Sequence, residues 1–173
     1  MPTKQTFTAG QVLTAAQLNT LQDYVGVVQV KSTTLTSTFS TTSTSFTDLT
    51  GLSVSITPTS ATNKILALVS INSGSDNIAI CFRLMRDSTA IAVGDAAGSR
   101  TRSTTANLFL NTVDISPINM NFLDSPATTS ATTYKVQLLT NASTAYINRT
   151  TVDNDATTRP RMVSTITVME VTP

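Results

Sequence analysis

A chain of 173 residues and 18.3 kDa holds one domain that buries about two thirds of its unfolded surface, and no second domain is needed. Charged residues make up only 12%, and 11 basic against 10 acidic side chains leave a net charge of +1, which excludes the electrostatic footprint of a nucleic-acid or anionic-membrane binder. Histidine is absent, and with it go the commonest general base, the commonest metal ligand and the usual catalytic triads. Thr and Ser fill the gap at about three residues in ten, so the exposed strand faces are expected to bear hydroxyls, a composition that suits a pleated sheet.

Residues 1–26 read as an attachment segment. Met1 to Gln5 lacks the apolar run of a secretory signal, and no stretch approaches about 18 uninterrupted apolar residues. No membrane insertion is expected, and the chain is expected to stay in the cytoplasm or to leave it by lysis. Thr14 is suited to cap a helix and Gln17 to reach back to it, a capping box, while Leu13 can staple onto Leu18. Gly26 is expected to end the helix at positive φ, and Leu18, Leu21 and Val25 make one narrow apolar stripe. A helix this short is marginal in water and needs a surface, supplied by its own β-domain, by a neighbouring copy or by a larger assembly. Phe7, Leu13, Leu18, Leu21 and Val25 are therefore the candidate docking residues.

Beyond Gly26 the spacing changes to period two, and residues 27–173 are expected to form a β-sandwich head. Val28 and Val30, then Leu52, Val54 and Ile56, mark half-buried strands. Lys31 to Thr50 is nearly all Thr and Ser, yet Leu35, Phe39, Phe46 and Leu49 punctuate it, which favours strands over a linker. Lys64 to Ile71 is dense enough in apolar residues to predict a central strand buried on both faces. Ile78, Ile80, Phe82 and Leu84 alternate with Cys81, Arg83 and Met85, and Asp87 to Thr89 turns this strand into a hairpin. Further strands follow at Leu108 and Leu110, Ile118 to Phe122, Tyr134 to Leu138, Ala145 to Asn148 and Met162 to Val171, with breakers between them. Nine or ten short strands at near-even spacing predict an all-β, jelly-roll-like sandwich.

Little in this head points to chemistry, and no catalytic residue, metal ligand or cofactor is expected. Cys81 sits in mid-strand with no base beside it and is read as a packing residue. Asp153 to Asp155 lacks the spaced ligands and terminal Glu of a calcium loop and is read as a solvated turn. Arg100, Arg102, Arg159 and Arg161 can grip an acidic glycan or a partner's carboxylates, but the plainer expectation is surface ion pairs with Asp95 or Asp155. Gly94 and Gly98 lack the strand-loop-helix context of a phosphate cradle.

Four stretches carry a family likeness. Phe7 to Asn19 (FTAGQVLTAAQLN) resembles the opening of many bacteriophage virion proteins, tail-fibre and related surface proteins above all. Ser45 to Pro58 (SFTDLTGLSVSITP), Phe82 to Asp95 (FRLMRDSTAIAVGD) and Phe122 to Val136 (FLDSPATTSATTYKV) resemble segments of short proteins from phages of cyanobacteria and other aquatic bacteria. The resemblance implies a β-sandwich head, trimeric as such fibre tips are, built into a virion through its N-terminal segment. Two non-enzymatic roles follow. One is a short tail fibre or receptor-binding protein docked on the baseplate and turned toward a host surface glycan. The other is a capsid decoration protein seated on the major capsid protein. A polysaccharide depolymerase is the third reading.

Leu18→Asp or Leu21→Asp is expected to leave the β-head folded while abolishing incorporation into particles, because either puts a charge into the docking stripe and none into the sandwich core. Circular dichroism of the purified variants and blotting of purified particles check the two halves of that expectation.

Overall fold

The computed structural model describes residues 7–17, 26–75, 79–108 and 115–172. Eleven strands run through them: β1 (Val27–Leu35), β2 (Phe39–Thr41), β3 (Thr47–Ile56), β4 (Lys64–Ser75), β5 (Ala79–Arg86), β6 (Thr89–Ile91), β7 (Thr105–Leu108), β8 (Ile115–Asp124), β9 (Thr132–Thr140), β10 (Ala145–Ile147) and β11 (Ser164–Val171). Of the residues that the sequence pattern placed in elements, Leu18, Leu21, Val25, Ile78 and Leu110 lie outside the described residues.

The strands form two antiparallel sheets. In the first, β1, β11, β4 and β8 lie side by side, while the short β2 and β10 add a second pair at the far end of β4. In the second the order is β3, β9, β5, with β6 and β7 sharing the remaining edge of β5. Leaving aside β2, β6 and β10, each of three residues, the first sheet takes the first, eighth, third and sixth strands and the second takes the second, seventh, fourth and fifth. That is the jelly-roll order. The Ser/Thr-rich stretch is mostly strand, since the second half of β1, all of β2 and the first four residues of β3 are drawn from it.

The core lies between the sheets and follows the period-two pattern. Ile65, Ala67, Val69 and Ile71 of β4, with Ile166 and Val168 of β11, meet Ile80, Phe82 and Leu84 of β5 and Tyr134, Val136 and Leu138 of β9. Arg86, Asp124 and Tyr134 join the layers through polar atoms. Arg86 donates to both carboxylate oxygens of Asp124 at 2.8 and 2.9 Å, and the buried Tyr134 hydroxyl donates to Asp124 at 2.6 Å. Burial first, and then this bond to an anion, push the phenol's pKa well above its ordinary value.

Three expectations are corrected. The β4 run is not buried on both faces: its inward residues are covered, but Leu66 is half-buried and Leu68 is 37% exposed, because among the described residues no third layer covers the outer side of this antiparallel sheet. Val28 and Val30 are exposed rather than half-buried, since β1 is an edge strand and both lie outside the core. Gly26 does not adopt positive φ; its carbonyl accepts from the Thr172 N–H at 3.3 Å and so carries on the ladder of β1 with β11.

Two local devices interrupt the regular ladder. Leu49 and Leu52 both face the core although strict alternation would oppose them, and the β3–β9 register shifts between Asp48 and Ser53 to allow it. Gly51 makes that bulge at φ +88, with its bare Cα turned to Leu35, whose Cδ1 would lie 2.9 Å from an added Cβ. Asn148, fully buried at φ 63, joins β10 to the loop that leads into β11. Its backbone N–H donates to Asn72 O, its carbonyl accepts from Met162, its amide donates to Leu35 O and Ser37 O, and its side-chain oxygen accepts from Ser164. One side chain thereby closes the loop of residues 149–163 and pins the junction of β1 and β2.

Gly51→Ala is expected to destabilise the fold by about 1–3 kcal/mol through left-handed strain and the contact with Leu35. Asn148→Ala is expected to cost about 1–3 kcal/mol, because it strands the buried Leu35 carbonyl and takes the acceptor from the buried Ser164 hydroxyl. Urea unfolding followed by circular dichroism measures both.

Candidate functional site

The described arm, residues 7–17, begins with the local structure its sequence encodes. Thr14 N–H donates to Gln17 Oε1 at 3.0 Å and Gln17 N–H donates to Thr14 Oγ1 at 3.3 Å, so the capping box forms, and residues 15–17 are helical. Every residue from Phe7 to Ala16 is exposed, Val12 at 87%. Of the candidate docking residues, Phe7 and Leu13 are exposed on this arm, and Leu18, Leu21 and Val25 lie outside the described residues.

A buried carboxylate fixes the place where the arm meets the head. Glu170 of β11 is fully buried and takes a bond from Gln29 Nε2 on β1 at 2.6 Å, from the Thr59 N–H at 2.7 Å, from the Thr59 hydroxyl at 2.8 Å and from Asn63 Nδ2 at 2.6 Å. The same Gln29 amide reaches Thr57 O at 2.7 Å. Burial alone would raise the carboxyl's pKa, but the bonds from Gln29, Asn63 and Thr59 outweigh it and hold the group down at about 2. The first turn of β1 is thus clamped to the loop between β3 and β4.

The two outer faces of the sandwich differ in kind. On the β3-β9-β5 sheet, Lys135 donates to Asp48 at 2.7 Å, Gln137 donates to Asp48 at 2.6 Å, and Arg83 donates to Gln137 through Nε and Nη2 at 2.8 and 2.6 Å while lying 4.0 Å over the Phe46 ring. This face is a satisfied polar network. On the other sheet an apolar row crosses four strands in register, Val30 beside Met169, Met169 beside Leu66, and Leu66 beside Leu123. Val30 and Leu123 at its ends are 50% and 47% exposed. The neighbouring row, Ser32, Thr167, Leu68 and Asn121, borders a shallow depression lined also by Ser70, Asn119 and Thr165. Sequence reading missed this face because it counted Leu66 and Leu68 into the core.

The four candidate arginines are not brought together. Arg100 and Arg102 stand on the loop between β6 and β7, at the edge of one sheet, whereas Arg159 and Arg161 stand on the loop between β10 and β11 of the other. Arg102 Nε donates to Gly94 O at 2.7 Å, and Arg161 pairs with Asp153 at 2.7 Å. The expected pairs with Asp95 or Asp155 do not form among the described residues, because Asp153 is the carboxylate that the turn presents to Arg161. Arg149, four residues before Asp153 and stacked 4.2 Å over the Tyr146 ring, holds it from the other side at 3.1 Å. Both oxygens of Asp153 are therefore engaged by guanidinium groups, and no cluster of three His, Cys, Asp or Glu exists among the described residues. Arg159 borders the depression beside Asp153 and Asp155. Cys81 is half-buried, and burial pushes its thiol pKa up against a smaller opposing effect of its bond with Ser103, so the thiol form prevails. Among the described residues, no helix is long and apolar enough to cross a membrane.

No family model matches the chain, and no curated protein matches it. Among solved structures the chain is similar to one titled "Structure of infectious bursal disease virus Gx strain", with a TM-score of 0.40 and 12% identity, covering 85% of this chain and 43% of that one.

With a folded-state pKa of about 2 against an ordinary 4.5, the Glu170 clamp contributes stability that is full above about pH 4.5 and is lost as the pH falls through 2. Melting temperatures measured from pH 6 down to pH 2 are expected to fall across that window. Glu170→Gln is expected to lower stability at pH 6 by about 1–3 kcal/mol and to flatten the acid limb.

Proposed function

We propose that this chain is a non-enzymatic structural protein of a bacteriophage virion, a homotrimeric surface head of short tail-fibre or receptor-binding type held in place through its N-terminal arm. The observation that carries the reading is the arm itself, whose described residues 7–17 are capped and uncharged and leave Phe7, Val12 and Leu13 to solvent, while Gln29 at the start of the head is clamped to Glu170. Such a segment supplies attachment once a surface meets it. The likeness of Phe7 to Asn19 to the opening of phage virion proteins supports the same role. Jelly rolls recur in viral capsid and lectin domains, an analogy of fold that agrees with the reading without deciding it.

The chemistry of the head agrees with a holding and touching role. The chain has no histidine, Cys81 is kept as thiol, and the buried carboxylates Asp124 and Glu170 are each committed to internal bonds that serve the fold. Arg100 and Arg159, whose side chains make no hydrogen bond or ion pair among the described residues, are the arginines left to meet an acidic host glycan or a neighbouring virion protein.

Labelled antibody or cryo-microscopy on intact particles tests the proposal. The protein is expected on the particle surface in a few dozen copies at tail or baseplate. Hundreds of copies spread over the head would replace the fibre role by decoration. Protein found free in lysates and missing from particles, or releasing reducing sugar from host capsule, would overturn the structural reading.

A further inference from the structure

Among the described residues nothing covers the apolar row on the outer face of the β1-β11-β4-β8 sheet, whose ends Val30 and Leu123 are half exposed, and residues 7–16 of the arm are exposed as well. We propose that these two surfaces are each other's partners between subunits, so that the arm of one copy lies across the outer face of this sheet in the next copy. The inference rests on the reading of the arm as an attachment device and names what it first attaches to.

Chemistry matches on both sides. Residues 7–17 carry no charged side chain and expose Phe7, Val12 and Leu13 among Thr and Gln. The face offers Val30, Met169, Leu66 and Leu123 in one row, with Ser32, Thr167, Leu68 and Asn121 in the next, and Lys64 beside Val171 puts a charge at its border. A charged partner gains nothing from such a face. An uncharged amphipathic segment buries apolar surface on it and finds hydroxyl and amide groups at the margin. The opposite sheet, by contrast, already satisfies its outer polar groups through Asp48, Lys135, Gln137 and Arg83.

Geometry favours exchange over folding back. Gly26 still follows the ladder, bonded to Thr172 and without a left-handed turn, so the head's first described residue lies on the line of β1. The described arm residues of the same chain are exposed and do not cover the row. Twenty residues separate Phe7 from Val27, a reach of about 30 Å as helix and about 65 Å when extended, whereas four strands span about 15 Å. The arm is therefore long enough to cross into a neighbour and lie over the full row. Because arm and face are different surfaces, the contact is head to tail, and repetition around a rotation axis closes a ring such as a trimer.

Complementation between two full-length variants tests this. Val12→Asp with Leu13→Asp spoils the arm alone, and Val30→Asp with Leu123→Asp spoils the face alone, all four positions being exposed and therefore compatible with folding. In sedimentation at micromolar concentration the unaltered chain is expected to be oligomeric and each variant monomeric, with self-association weakened at least about tenfold. An equal mixture of the two variants is expected to recover a species of two subunits, because the sound arm of one meets the sound face of the other. A monomeric unaltered chain, an arm variant that assembles as before, or a mixture that stays monomeric would each overturn the arm-to-face contact. The arm variant carries the test by itself if the face variant misfolds. A monomeric unaltered chain also removes the homotrimer from the reading above, whereas an arm variant that assembles as before or a mixture that stays monomeric overturns the arm-to-face contact alone, and the particle-labelling result stands apart from both.

Discussion

Two antiparallel sheets can bury only the sides they turn to one another, and nearly everything in this protein follows from that constraint. Each strand gives alternate residues to the single core between the layers and leaves the rest outside. Ile65, Ala67, Val69 and Ile71 go inward along β4, and Leu66 and Leu68 are left to the other side. The outer faces must then be satisfied by polar networks, by water or by another molecule. One sheet takes the first course, through Asp48, Lys135, Gln137, Arg83 and Phe46. The other keeps an apolar row from Val30 to Leu123.

The polar groups that do enter the interior sit where the regular ladder would otherwise fail. Asn148 stands at the break between β10 and β11, where a loop leaves the sheet and backbone and hydroxyl groups need partners. Glu170 stands at the end of β11, where the loop from β3 must be tied to the first residues of β1. Asp124 stands where β8 of one layer faces Arg86 and Tyr134 of the other. Each is held by several short bonds, which offset the desolvation of an amide or carboxylate. These ties hold the arm's root and the loop ends in place, which turns a sandwich of small hydroxyl side chains into a rigid platform.

Among the described residues, the arm from Phe7 to Ala16 and the ends of the apolar row, Val30 and Leu123, are left exposed. Glu170 and Tyr134, the groups shifted furthest, point into the fold, whereas the lowered carboxyl of Asp48 is spent on Lys135 and Gln137 in the outer network. The depressed carboxyl of Glu170 and the elevated phenol of Tyr134 are consequences of internal bonding, and neither is offered to a ligand.

Local chemistry was legible in the residues alone. Alternation along β5 and β9 identified Phe82, Leu84, Tyr134, Val136 and Leu138 as residues of one-sided strands, and the capping box of Thr14 and Gln17 needed no tertiary partner to be read. Such features depend on neighbours within a few positions, which periodicity reports directly. What only the tertiary structure decided was which strands lie beside which, and hence the fate of residues that are apolar without being core. Leu66 and Leu123 are far apart in sequence, and only the pairing of β4 with β8 makes them one surface with Val30 and Met169. Asn148 and Glu170 are likewise ordinary in sequence, because the groups that satisfy them come from distant strands and loops. Burial is a property of the layer count, and no local pattern states how many layers a chain will build.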